Sequence, residues 1–250
     1  MLTTTSSAGG QNGAVKILQL WRYPVKSMQG ELLESVDVAG AGIVGDRSWA
    51  LRDVATGLTL TARRAPELLF ARGLIVDGRA VVGLPNGTET DSDDVLSRWL
   101  GRDTELIAAT DQSATYEIAT DAEDEANSPW RTWSGPGIAF HDSERSRVSI
   151  IGEDTLRTWP VRRFRPNVVS SGGAEDALVG ASVRSTGGVV LDVLQQIDRC
   201  VMITRPQPGG IDRDLDVLRT VNRERGSVLG VGALVSQPGT LHVGDDLRPF

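Results

Sequence analysis

The 250-residue sequence predicts a mainly β protein (α+β) with only a few short helices. Three observations lead there. Apolar runs are short and partly alternating, as half-buried strands require. Turn chemistry recurs between them, at Ala55-Thr56-Gly57, Asp77-Gly78 and Pro238-Gly239. Helical spacing with capping residues is confined to a few brief stretches. Strands this short and closely spaced suit a small barrel or a sandwich.

Composition narrows the class. A 40% hydrophobic and 24% charged chain is that of a soluble globular protein, long enough for one large or two small cores. The net charge of −7 argues against general nucleic-acid binding, yet 26 Lys and Arg leave room for a local basic pocket. The single cysteine, Cys200, rules out a disulfide scaffold and suits a reducing cytoplasm. No apolar run approaches about eighteen residues, so no membrane span is expected. Residues 1–13, rich in Ser, Thr, Gly and Ala, read as a disordered tail and lack the marks of a signal peptide.

In order, residues 15–23 form a strand that Pro24 stops. Lys26 and Ser27 follow at its exit, a charge and a hydroxyl suited either to phosphate or to a solvated turn. Gly40-Ala41-Gly42-Ile43-Val44-Gly45 spells the dinucleotide fingerprint. That motif needs a helix at its end to receive the pyrophosphate, whereas residues 46–53 alternate as a strand, so the glycines serve tight turns. Strands are expected at 59–61, 68–72, 74–76 and 79–84. The first clear helix spans 93–100. Asp91 or Ser92 caps it, Asp93 and Asp94 complement its dipole, and Gly101 ends it. A strand at 104–108 follows.

Residues 111–128 are polar, with acidic Asp121, Glu123, Asp124 and Glu125, and read as a linker or surface loop between two halves. Trp130, Trp133 and Phe140 either line an entrance or pack internally. His141-Asp142 suggests a hydrolase pair, but no Gly-x-Ser-x-Gly elbow supplies a nucleophile. His141, Cys200 and His242 lack zinc-ligand spacing. A buried strand at 148–151 precedes a helix at 153–159 that Pro160 ends. Arg162, Arg163 and Arg165 then crowd around Phe164, and Pro166 is expected to hold Arg165 extended. Asn167 adds an amide donor. Strand 168–169, a hairpin of 183–184 and 189–194, and a strand at 201–203 bracket Cys200. A helix at 214–225, with Leu215, Leu218 and Val221 on one face, and strands at 228–235 and 241–243 complete the chain. On its own, Cys200 reads as a packed core thiol.

Together, several of these segments resemble a family. Tyr23-Pro24-Val25-Lys26-Ser27, Gly45-Asp46-Arg47 and Thr61-Ala62-Arg63 look like the N-terminal β-barrel domain of MOSC proteins. Phe164-Arg165-Pro166-Asn167-Val168-Val169, Arg199-Cys200 and residues 238–245 look like the MOSC domain itself. The order is right and the match covers nearly all of the chain after residue 14. The resemblance implies a β-barrel-like domain, residues 14–110, packed on a MOSC β-barrel domain, residues 111–250.

It also implies a molybdenum cofactor of the molybdopterin type. Cys200 would be the protein ligand to molybdenum, a role that suits a soft thiolate. Lys26, Ser27, Arg47, Arg165 and Asn167 would grip the pterin and its phosphate, with Arg63 a weaker candidate. Ser146 and Ser149 lie nearest to a hydroxyl-bearing family segment. The loop after the ligand, Ile203-Thr204-Arg205-Pro206-Gln207-Pro208, departs from the usual Thr-Thr-Val-Asp-Pro, which bears on substrate preference. The implied activity resembles that of amidoxime-reducing enzymes: two-electron cleavage of N–O bonds in N-hydroxylated compounds. Electrons would come from a separate reductase or carrier, because the chain shows no flavin, haem or iron–sulfur motif. The alternative is a sulfur or cofactor carrier, with Cys200 bearing a persulfide supplied by a pyridoxal-phosphate-dependent desulfurase.

Overall fold

The computed structural model describes residues 13–121 and 127–250. The first half contributes β1 (Val15–Arg22), β2 (Glu31–Leu33), β3 (Ser35–Ala39), β4 (Gly42–Ile43) and β5 (Trp49–Asp53). Then come β6 (Arg72–Val76), β7 (Arg79–Gly83), β8 (Glu89–Thr90), helix α1 (Asp93–Leu100), β9 (Thr104–Ala108), β10 (Thr115–Ala119) and β11 (Trp130–Ser134). The second half contributes β12 (Val148–Gly152), α2 (Glu153–Leu156), α3 (Val161–Phe164), β13 (Val168–Ser170), β14 (Ser182–Ser185) and β15 (Val190–Asp198). Helix α4 (Leu215–Arg225), β16 (Val228–Gln237), β17 (Gly239–His242) and β18 (Asp246–Pro249) follow.

Seven strands close into a barrel in the order β13, β12, β16, β15, β14, β18, β1, with β1 returning to pair β13. Closure removes the free sheet edges. The inward side chains make one apolar core: Ile17, Leu20, Ile150, Val168, Val183, Leu191, Val193, Val231 and Leu247 are all 0–1% exposed. Strand β1 is the closing piece. It sets Leu20 opposite Val168 on one side and Val15 opposite Leu247 on the other. Strand β3 also pairs β17 from the far end of the chain. Strands β1 and β3 are therefore woven into the second half.

The remainder of the first half builds its own core. The β5–β9 ladder, the β6–β7–β8 sheet and α1 enclose Val25, Met28, Leu51, Leu60, Leu68, Val82 and Leu96. Gly45, with φ at 81°, shows why the glycines of segment 40–45 are there. A Cβ at that position would meet the Ile75 side chain at 2.5 Å.

Several sequence expectations need correction. Residues 66–70 form a 3₁₀ helix rather than the start of a strand, because Pro66 presets a helical φ and Leu68 and Leu69 both turn inward. Residues 201–204 are likewise a 3₁₀ turn rather than a strand. At 59–61 a single bridge, Arg52 to Thr59, replaces a strand. The helix foreseen at 153–159 stops at Leu156, where Arg157 takes a positive φ, and a separate short helix, α3, begins after Pro160. Helix α4 buries Val217, Leu218 and Val221 while Leu215 faces outward.

The polar segment 111–128 is not only a loop. β10 pairs β11 over five positions, and buried Tyr116 packs with Phe140 and Trp133. The packing alternative thus holds for Phe140. Of the acidic residues, Glu123, Asp124 and Glu125 lie outside the described residues, as do residues 1–12.

The β1 closure yields a test. A chain of residues 139–250 is expected not to fold alone, since β13 and β18 both lose their neighbour. Adding a peptide of residues 13–23 should restore the far-ultraviolet circular dichroism of a barrel. Cooperative unfolding of the 139–250 chain without the peptide would contradict the closure argument.

Candidate functional site

Lys26, Ser27, Arg47, Arg63, Arg165 and Cys200 are brought together by contacts within and between the two halves of the chain. After β1 the chain turns sharply at Ser27, whose φ is 66°. The Ser27 hydroxyl oxygen accepts the Ala62 N–H at 3.0 Å, which pins the 61–64 turn against residues 26–28. Arg63 on that turn brings Nη2 to 3.7 Å from the Cys200 Sγ. Cys200 is half-buried at the end of β15, just before the 201–204 turn.

Arg47 occupies the turn before β5 with φ at 50°, and Arg165 ends α3 with φ at 54°. The expectation of extended backbone at Arg165 fails here. Left-handed backbone closes α3 by sending the Arg165 N–H to the Val161 carbonyl at 3.1 Å. Seven non-glycine residues have positive φ among the described residues, and Ser27, Arg47 and Arg165 are three of them. Such backbone costs about 1 kcal/mol per residue and concentrates at functional sites.

Side-chain contacts tie these turns together. The Arg47 guanidinium donates to the buried Asp46 carboxylate and, through Nη2, to the Arg165 carbonyl at 3.3 Å. Arg165 donates to the Met28 carbonyl. Both guanidiniums lie over the Tyr23 ring, at 5.1 and 4.3 Å from its centre. Lys26, buried, donates to the Phe140 carbonyl at 2.7 Å and to Asp142 Oδ1 at 2.8 Å. Arg199, beside the thiol, donates to the Leu229 and Phe164 carbonyls, at 2.8 and 2.9 Å.

Electrostatics record the crowding. Burial, then the Arg47 charge, depresses Arg165 to about 10. Burial also brings Arg199 to about 10, with Arg47 adding to the effect. Burial lowers Lys26 too, with Arg63 and Arg47 adding to it and Asp142 opposing. For Arg47 burial works against the charge, but Asp46 and Tyr23 outweigh it. Burial pushes Asp142 up, and Lys26, Arg63 and Arg47 together pull it well below the usual carboxylate range. The Asp142 side chain is 58% exposed, so its ionisation is shared between these cations and water.

The consequence for stability has a definite sign. A carboxyl whose folded pKa lies below its unfolded value of about 4 stabilises the fold above that pH and loses the contribution as pH falls through the folded value. Asp142→Asn leaves the buried Lys26 ammonium without its carboxylate and should cost about 1–2 kcal/mol at pH 7. Urea titrations of both proteins should show the gap closing as the pH drops below about 4. A gap independent of pH would contradict the ion-pair account.

Three of the expected residues are engaged elsewhere. Asn167, 1% exposed, accepts the Ser149 N–H and hydroxyl through Oδ1 and donates to the Trp21 carbonyl at 3.2 Å. Asn167 and Ser149 thereby brace β12, β13 and β1 inside the barrel wall. Ser146 packs over Gly232 of β16, where an added Cβ would meet its hydroxyl at 2.5 Å. Sequence reasoning in turn gave no role to Tyr23, Asp46, Arg199 or the ion pair of Asp142. The adjacency of Asp46 to Arg47 and of Arg199 to Cys200 was the available signal. A groove of about 440 Å³ lined by Ile107, Thr115, Ile138 and Phe140 contains none of the clustered cations.

A closed seven-strand barrel carries Cys200 at a strand end, and Arg63 from the smaller β unit of the first half reaches it, which makes this a two-part β protein with a candidate site between the parts. Residues 14–132 match the MOSC N-terminal beta barrel domain and residues 139–248 match the MOSC domain, so the chain belongs to the MOSC-domain family. It is 24% identical over 259 aligned positions to a molybdenum cofactor sulfurase from Solanum lycopersicum, covering 83% of this chain. It spans 31% of that relative's length. Among solved structures it is similar to the YUAD protein from Bacillus subtilis, at 12% identity and a TM-score of 0.44, covering 95% of this chain and 96% of that one. A second is YiiM from Geobacillus stearothermophilus, at 18% identity and a TM-score of 0.35, covering 48% and 67%. No helix among the described residues is long and apolar enough to cross a membrane.

Proposed function

We propose that this chain binds a molybdenum cofactor of the molybdopterin type at the junction and reduces N-hydroxylated compounds with electrons from a separate reductase. The observation that carries this is the gathering of Lys26, Arg47 and Arg165, at or beside the left-handed residues Ser27, Arg47 and Arg165, with Arg63 and Arg199 beside Cys200. The residues fit the group. Depressed, partly desolvated cations gain from an anion such as a phosphate, and a half-buried thiol flanked by guanidiniums is suited to thiolate ligation.

In this reading Lys26, Arg47 and Arg165 hold the phosphate end, and Cys200 is the protein ligand to the metal. Ser27 serves through its backbone turn, and Asn167 and Ser149 through the barrel wall. The bound cofactor would supply the two-electron chemistry of N–O reduction. The chain's own residues bind and orient. Arg63 and Arg199 flank Cys200, with Arg63 Nη2 3.7 Å from Sγ, and Asp142 keeps Lys26 charged and placed. Burial of Lys26, Asp46 and Tyr23 keeps water from the floor of the cluster and strengthens each contact.

The test is purification from a host that makes the cofactor, with molybdenum and pterin fluorescence measured per chain. Near-stoichiometric loading, and turnover of an amidoxime or hydroxylamine driven by a reduced viologen, would support the reading. A well-folded protein lacking both molybdenum and pterin would sink it. The similarity to a molybdenum cofactor sulfurase favours a second reading, carriage of sulfur or cofactor with Cys200 as the carrying thiol. Loaded protein that stays inactive on every N-hydroxylated substrate would shift the balance to that reading.

A further inference from the structure

Arg47 and Arg165 pose a physical problem that their hydrogen bonds do not solve. Both guanidiniums pack on one aromatic ring, and Arg47 also reaches the Arg165 backbone carbonyl. Among the described residues, the carboxylate in contact with the pair is that of Asp46, on Arg47. The Arg165 guanidinium donates to a backbone carbonyl, that of Met28. What the two share is the Tyr23 ring, whose electron-rich face attracts cations.

Tyr23 is also held in place from every side. Its N–H donates to Asp46 Oδ1 at 2.7 Å, its carbonyl accepts the Arg47 N–H at 2.7 Å, and its hydroxyl donates to the Pro166 carbonyl at 3.1 Å. It is thus bonded to both cation-bearing turns, next to Arg47 and next to Arg165. Gly30 lies against the ring, where a Cβ would sit 2.5 Å from Cδ1. The residue is 1% exposed. Burial raises the phenol well above its ordinary value, so the hydroxyl keeps its proton for Pro166.

We propose that Tyr23 is a positioning residue for anion binding: its ring face gathers Arg47 and Arg165 into one phosphate-sized pair of forks. The idea rests on the reading that these arginines hold the cofactor's phosphate, but it concerns this chain's own residues and is testable without the cofactor. Tyr23 touches no ligand in this account. It acts through the two arginines.

The experiment uses the full chain from a cofactor-deficient host, with inorganic pyrophosphate as the probe in titration calorimetry. Tyr23→Phe keeps the ring face and loses only the Pro166 bond, so its affinity should stay within about threefold of wild type. Phenylalanine analogues bearing one, three and five ring fluorines at position 23 keep the shape and progressively drain the ring face. Affinity should then fall stepwise, by about tenfold over the series, with the melting temperature level. A flat series, a fall that merely tracks loss of melting temperature, or wild type that fails to bind pyrophosphate would each overturn the proposal. Wild type that binds pyrophosphate yet never carries molybdenum would defeat the cofactor reading and leave the Tyr23 result standing.

Discussion

Replacing Cys200 with alanine is expected to give a folded protein whose molybdenum content falls from near-stoichiometric to background. The fold should tolerate the change. Cys200 is half-buried, and the bond it contributes to the following 3₁₀ turn is from its backbone, the Ile203 N–H reaching the Cys200 carbonyl at 3.2 Å. Deleting one partly exposed sulfur removes little apolar burial, about 1 kcal/mol or less. The metal end of the proposed site has no other thiol, since the chain contains one cysteine. Carboxylates and imidazoles do not assemble there either: among the described residues no three His, Cys, Asp or Glu side chains converge to hold a metal. Cys200→Ser should retain only a small fraction of the metal, because a neutral hydroxyl is a harder and weaker ligand than thiolate. Elemental analysis alongside a thermal melt separates the outcomes. Full molybdenum occupancy in folded Cys200→Ala would remove the thiol from the ligand role.

The fold was legible where local pattern and tertiary environment agree. The alternation of residues 15–22 announced β1, and Ser92, Asp93 and Gly101 bounded α1. It was misread where an apolar run was too short to choose its period. Val201-Met202-Ile203 reads equally as buried strand or buried helical turn, and the chain needs a turn there to pass from β15 towards α4. Thr115-Tyr116-Glu117-Ile118 does alternate, but the polar residues around it masked the signal. At Arg165 the steric rule for a residue before proline excludes right-handed helix. It does not exclude the left-handed turn that α3 uses to end.

The site divides in the same way. Lys26, Arg47, Arg165 and Cys200 were legible only jointly, since each alone reads as a solvated turn or a core thiol. Tyr23 was not legible as a partner, because its role depends on meeting Asp46 and Pro166, 23 and 143 positions away. Asn167 and Ser149 show the converse. Their residue types suit a ligand, yet each spends its hydrogen-bonding capacity on the other and on the barrel wall.

Arg165→Gly is expected to abolish cofactor retention while leaving the empty protein at least as stable as wild type. Two terms decide the sign. Burial and the Arg47 charge hold Arg165 down at about 10, so at pH 7, below that value, its charge is a standing cost to the empty fold. The group is half-buried, so solvent discounts that cost. Its backbone at φ 54° is a second cost, which glycine relieves by about 1 kcal/mol. Against these stand the contacts to the Tyr23 ring and the Met28 carbonyl, about 1 kcal/mol each. Arg165→Ala loses the same contacts but keeps the strain. It should melt about 2–4 °C below Arg165→Gly while losing the cofactor equally. Pterin retained per chain after gel filtration, with melts of both variants, reads the two effects apart. Wild-type pterin content in Arg165→Gly would show that this arginine does not grip the phosphate. An Arg165→Ala that melts level with Arg165→Gly would show that the left-handed turn carries no strain, and that the residue's cost to the fold is electrostatic alone.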